Sequence, residues 1–269
     1  MGTTQRINPN WGSLSVAVTS IAKAEKEIAQ LEVLDEGDGV QDENIDIEAQ
    51  LRKLKKRRDN HLKSVVDRLV GIGGGSRAIA SGRSAKVGRA GVRSASRLAS
   101  FFSRSSSIGI EGALAEIGFA TLIGKSLQDV LDYIINYCCD SDVGMDEAAA
   151  KTAMNEILKK FSQEANGEID LLNNMMREAA NGNALGNLLC DFFGIYIYEF
   201  LWERLEERLR QIRGKEVAKS TFESIKREID GRVRLLNESR PVAQIDWAGN
   251  EGQIEIERIF TAIIQIEGE

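Results

Sequence analysis

LLCDFFGIYIYEFLWERLEERLRQIR, Leu188 to Arg213, is the stretch on which the fold turns. Its first half is apolar all round (Phe192, Phe193, Ile195, Tyr196, Ile197, Phe200), and its second half is amphipathic. A helix that is apolar on every side must be covered by other elements. The stretch therefore predicts the central buried helix of an all-α domain. It does not read as a membrane span: Asp191, Gly194 and Glu199 interrupt it, and no run of 18 apolar residues occurs anywhere. Two prolines and an aromatic share of 6% also fit helices better than a turn-rich β-sandwich.

On the C-terminal side, Glu216 to Leu236 continues the helical pattern and Pro241 breaks it. IDWAGNEGQ then leads into a last helix, Ile254 to Ile266, with Trp247 as the anchor packing it down. On the N-terminal side, Ile169 to Ala179 is a short helix, and Asp146 is placed to cap the helix DEAAAKTAMNEILKKF. Ser126 with Asp129 reads as a capping box ahead of Leu127, Val130, Leu131, Ile134 and Ile135.

Near the start, Leu14, Val18, Ile21, Ile28 and Leu31 recur at helical spacing and predict a helix from about Ser13 to Leu34. An acidic loop, DEGDGVQDEN, separates it from a second helix through Ile47, Leu51, Leu54, Leu62, Val65 and Leu69, whose outer face carries Arg52 to Arg58. Two long helices with a polar loop between them predict an antiparallel hairpin. Gly71, Gly73, Gly74 and Gly75 read as a hinge. The expected organisation is an exposed tail (1–12), a helical hairpin (13–70), a Gly hinge with a basic Gly/Ala/Ser/Arg segment (71–104), and a C-terminal helical bundle (105–269).

Function classes narrow by subtraction. One histidine, His61, excludes a His-dependent triad or a multi-His metal site within the chain. His61 lies beside an apolar stripe and reads as a half-buried packing residue. Cys138, Cys139 and Cys190 lack CxxC spacing and read as reduced core residues of a cytoplasmic protein. The N-terminus shows no signal peptide, and Arg6 stands where N-myristoylation wants Ser or Thr. Gly124-Lys125-Ser126 imitates the end of a phosphate-binding loop, but position 119 is Phe119 rather than Gly, so a helix N-cap is the better reading. Asp140, Asp142 and Asp146 around Gly144 miss the calcium-loop spacing, since the twelfth residue is Lys151 rather than Glu. No catalytic residue, metal site or intrinsic cofactor is expected.

The strong anomaly is charge. From Arg68 to Ile110 there are eight basic residues and no acidic one, so a chain of net −6 carries +8 there and −14 elsewhere. Arg83, Lys86, Arg89, Arg93 and Arg97 would share one stripe on a helix, with small residues between them. Such a stripe meets an acidic protein surface (in this chain or a partner), nucleic acid, or solvent. At the other extreme of the chain, loss of Met1 would leave Gly2 with a free α-amine of pKa about 7.7–8.0, partly neutral and sterically open.

Four strings together resemble one family: MGTTQ at the start, GRSAKVGRAGVRSASRLASFF (82–102), YIINYCCDSDVGMDEAAAKTAM (133–154) and IDWAGNEGQIEIERIF (245–260). They resemble the QatB family of accessory proteins in bacterial Qat antiphage defence systems. The tail departs from the family pattern, reaching its Trp quickly through INPNWGS. The resemblance implies a non-enzymatic defence protein encoded beside a P-loop ATPase, a QueC-like enzyme and a TatD-like nuclease. It implies that the QueC-like enzyme spends ATP to join a 7-deazaguanine to the amine of Gly2, with Thr3 and Thr4 nearest the reacting centre. A nucleic-acid-binding or scaffold subunit using the basic segment is the alternative, and no membrane partner is implied.

Overall fold

A computed structural model describes residues 11–35, 41–141, 144–181, 183–239 and 245–265. Ten helices and no strand occur among them. The sequence-predicted hairpin is α1 (Gly12–Asp35) and α2 (Gln41–Gly73). The QDEN stretch expected in the loop is helical, consistent with acidic sequence at the positive end of a helix dipole. A short α3 (Ser76–Ala80) and a long α4 (Arg89–Glu116) follow, then α5 (Leu127–Cys138), α6 (Met145–Ala165) and α7 (Ile169–Ala180). The chain ends in α8 (Ala184–Arg213), α9 (Lys215–Ser239) and α10 (Asn250–Gln265).

The helix at α8 is central, as its all-round apolar sequence requires. It packs against α1, α4, α6, α7, α9 and α10. Phe193 stacks on Phe260 of α10 with ring centroids 4.2 Å apart, and Phe200 meets Trp11 at 6.0 Å. Each buried aromatic contributes about 1.5–3 kcal/mol through removed apolar area, and each ring pair adds roughly 0.5–1.5 kcal/mol. Among the described helices α8 alone has the length and composition of a membrane span, with 61% of its apolar window buried inside the fold. One continuous core runs from Trp11 to Ile264 and includes residues of the hairpin and of every later region.

Two readings of the middle region are corrected. The glycine hinge starts later than expected: α2 runs through Gly71 and Gly73, and the turn falls at Gly74 and Gly75, with φ of 88° and 101°. Gly73 is needed for contact rather than flexibility, since a Cβ there would lie 2.4 Å from Ile79 Cδ1. The basic segment is not set apart at residue 104, because α4 continues to Glu116 with a kink at Gly109. There the Ile110 N–H donates to Asn173 Oδ1 at 2.8 Å, so α7 caps the second half of α4.

The Ser126 capping box is present in full. The Asp129 N–H donates to Ser126 Oγ at 3.2 Å and the Ser126 N–H donates to Asp129 Oδ2 at 2.8 Å. Those hydrogen bonds hold the Asp129 carboxyl below the usual carboxylate range. Ser126→Ala should cost about 1 kcal/mol, and in a protein of this size should lower Tm by about 2–4 °C in calorimetry.

Candidate functional site

The basic segment is built around the start of α4. Gly88 adopts φ of 101° and its Cβ position lies 2.5 Å from the Ile79 carbonyl oxygen, so only glycine fits. Glycine offers no capping side chain, and the orphan N–H groups of the helix need outside acceptors. Asp146, on α6, supplies them: Gly88 N–H donates to its Oδ1 at 3.1 Å and Ala90 N–H to its Oδ2 at 2.8 Å. Asp146 thus caps α4 rather than its own helix, whose N-cap is Gly144. Tyr196 of α8 completes the set. Its hydroxyl accepts the Gly88 N–H at 2.7 Å and donates to Asp146 Oδ1. Burial first, and then the Asp146 charge, push the Tyr196 phenol well above its ordinary range, so it remains a donor at neutral pH. Gly91 lets α4 approach: a Cβ there would lie 2.9 Å from the Tyr196 ring.

This arrangement divides the five expected stripe residues. Arg83 and Lys86 are not on a helix with the others, because α4 begins only after Gly88. Their segment is folded back, with the Arg83 and Ser84 N–H groups both donating to the Ala78 carbonyl at 2.9 Å. Arg89, Arg93 and Arg97 do share α4. Arg93 and Arg97 converge on Asp140, with Arg97 Nη1 2.8 Å from Oδ1 and 3.2 Å from the Tyr137 carbonyl oxygen. Their acidic surface therefore lies within the chain. Both arginines are about one-third exposed, 34% and 35%, so solvent limits each pair to about 0–1 kcal/mol. Arg83, Lys86 and Arg89, with Arg77, are exposed and make no ion pair among the described residues. The Gly88 and Ala90 N–H groups are already taken by Asp146, so neither is open to an incoming anion.

Gly2, Thr3 and Thr4 lie outside the described residues. The point where they join the body is defined by Trp11. Its indole is buried against Phe200, the Arg204 guanidinium lies 4.7 Å above the ring, and its carbonyl accepts the Ser15 N–H at 2.9 Å. Arg68 of α2 donates to the Ser13 carbonyl two residues on. The Phe200 ring is 6.4 Å from Tyr196, so one line of aromatic contacts links Trp11 to the start of α4.

The remaining candidates are structural in their surroundings. His61 is half-buried, and its pKa is lowered by burial and by the charges of Arg57 and Arg68. The three cysteines form no disulfide among the described residues and are buried, and burial raises the thiols of Cys138 and Cys139. Asp140 and Asp146 serve different partners, and Asp142 lies outside the described residues. Among the described residues no group of three or more His, Cys, Asp or Glu could hold a metal. Trp247 is buried at the start of α10, where a Cβ on Gly252 would lie 2.6 Å from its backbone. Sequence reading missed Tyr196 as a polar group; the available signal was a pair of hydroxyls, Tyr196 and Tyr198, inside the apolar run FFGIYIYEF.

Fold and surroundings together define an all-helical protein whose buried polar side chains join helices and whose exposed cations cluster beside one helix start. The family follows from comparison: residues 74–266 match the model described as Qat anti-phage system associated protein QatB. The chain belongs to that family and so to anti-phage defence. No curated protein and no solved structure showed a significant match.

Asp146→Ala strands the Ala90 N–H and the Tyr196 O–H, leaves the Gly88 N–H with the Tyr196 oxygen alone, and should cost about 3 kcal/mol by urea denaturation. Tyr196→Phe leaves both N–H groups with Asp146 and should cost about half as much. The triple change Arg83→Glu, Lys86→Glu, Arg89→Glu should move the same transition by about 0.5 kcal/mol or less.

Proposed function

We propose that the chain is a non-enzymatic cytoplasmic defence protein whose leading end is the substrate of a QueC-like enzyme. Gly2, exposed by loss of Met1, is the acceptor. Its neutral amine supplies the electron pair for the new bond to an ATP-activated 7-deazaguanine. The activating group leaves with the electrons of the bond that breaks, and the amine loses a proton. Thr3 and Thr4 are the residues nearest that reacting centre. The adduct is the only cofactor-like group in this reading.

The observation that carries the reading is the clamp on Trp11. A buried indole held by Phe200 and Arg204 fixes where the first ten residues meet the body, which suits presentation of a short end to another protein. Family membership adds anti-phage defence as the setting, and in this reading a P-loop ATPase and a TatD-like nuclease are further partners. The chain's own nucleophiles are poorly suited to catalysis: the Cys138 and Cys139 thiols are buried and raised, and the lone histidine is structural in its contacts.

A second reading rests on Arg77, Arg83, Lys86 and Arg89, whose exposure without ion pairs suits a phosphate backbone. It predicts duplex DNA binding that weakens steeply with salt and is lost on Arg83→Glu, Lys86→Glu, Arg89→Glu.

Intact-mass spectrometry of the chain co-expressed with the whole defence system should show one 7-deazaguanine-sized addition on a peptide beginning at Gly2. Gly2→Pro should abolish the addition. An unmodified wild-type end, or an addition that survives Gly2→Pro, refutes the proposal. Trp11→Ala should cost about 3–5 kcal/mol in stability, and the milder Trp11→Phe should lower the modified fraction while leaving the fold intact.

A further inference from the structure

The body beside the leading end has a face of its own. Trp11 meets Phe200 and Arg204 of α8, and further along the same two helices Ser15 and Thr19 of α1 face Arg208 and Ile212. Arg204, Arg208 and Ile212 recur every four residues and share one side of α8. Ile212 is 54% exposed, and Val16, next to Ser15, is 59% exposed. Arg204 and Arg208 are exposed and form no ion pair among the described residues. The neighbouring carboxylates are engaged or turned elsewhere. Glu207 accepts from Arg210 and Gln211, and Glu206 pairs with Arg210. Glu203 stands about 100° round the helix from Arg204. It adjoins Glu199, whose carboxyl is raised by burial first and then by the Glu203 charge. Every charged side chain ahead of Glu25 in the sequence is a cation, Arg6 and Lys23.

We infer that this face docks the enzyme that works on the leading end, through carboxylates set around an apolar contact. The inference rests on the acceptor reading above and adds where that enzyme takes hold. Ten extended residues reach about 33–36 Å, so an enzyme holding Gly2 stands within that distance of Trp11. Arg204 to Ile212 covers about 12 Å of α8, well inside that reach. Docking the body there keeps the short leading end at high effective concentration at the reacting centre. The two guanidinium forks suit carboxylates, and Val16 and Ile212 gain by leaving water. Other occupants fit worse. Nucleic acid would engage Arg204 and Arg208 but leave Val16 and Ile212 wet. A second copy on a two-fold axis would set the same cations against each other. The chain's own residues 1–10 bring Arg6 and no acid.

The test mixes the purified full chain, carrying the photo-reactive residue p-benzoylphenylalanine at position 212, with the purified QueC-like enzyme and competing duplex DNA. Irradiated adducts are read by peptide mass spectrometry. The expected adduct is an enzyme peptide that contains Asp or Glu. Arg208→Glu should cut its yield roughly tenfold, because like charges would then face each other, and Arg208→Lys should keep most of it. Unchanged thermal melting of both variants shows that the fold is retained. In the modification assay Arg208→Glu should raise KM for the chain by a similar factor and leave kcat alone, since Arg208 holds the body and not the reacting end. Gly2→Pro should abolish modification and keep the adduct. Failure of the acceptor reading alone therefore shows as an adduct without modification, whereas failure of the docking inference shows as modification with an unchanged KM. Absence of an enzyme adduct, a yield insensitive to Arg208→Glu, or adducts confined to the DNA, a second copy or residues 1–10 of the same chain likewise overturn it.

Discussion

A helix that begins with a glycine inside a protein has donors and nothing of its own to satisfy them. That is the condition of α4 at Gly88, and much of the molecule is arranged around it. Asp146 from α6 and the hydroxyl of Tyr196 from α8 supply the missing acceptors. The contact needs α4 to lie almost on the Tyr196 ring, which Gly91 permits. It also needs α8 to be covered on all sides, since a wetted Tyr196 would bond to water instead. The aromatic contacts of Phe192, Phe200 and Phe260 around Tyr196 provide that cover. Three helices distant in sequence are thereby locked at a single buried point.

The large apolar side chains were legible because their spacing is local information. The expected helix from Ser13 to Leu34 corresponds to Gly12–Asp35, and the short helix from Ile169 to Ala179 to Ile169–Ala180. The Ser126–Asp129 box was readable for the same reason, as all its atoms lie within four residues. The long α4 was not, because its buried face is made of Gly91, Ser94, Ala95 and Ala99 as much as of Leu98 and Phe102. Small residues give a weak periodic signal while permitting the closest packing. The role of Asp146 was hidden differently: its donors lie 56 and 58 residues away, beyond any local pattern. The charged stripe was half legible, since the 3–4 spacing holds within α4 but fails ahead of Gly88.

Charge in this chain is sorted by what it faces. Arg93 and Arg97 are engaged on Asp140, and Arg68 on the Ser13 carbonyl. Arg77, Arg83, Lys86 and Arg89 stay in solvent beside the same helix. A net negative protein thus keeps a small cationic face around the start of α4. The stretch shared with the QatB family includes that face but not the hairpin, whose helices α1 and α2 precede it.

The hydrogen bond from Gly88 to Tyr196 closes a loop of 108 residues. A ribosome releases the chain from its leading end, so the most basic stretch emerges long before its acceptors on α6 and α8 exist. During that interval α4 lacks the acceptors at its start, and Arg93 and Arg97 lack Asp140. Final assembly of the amino-terminal half is thus deferred until the carboxy-terminal half has been made, which ties maturation of this protein to completion of its translation.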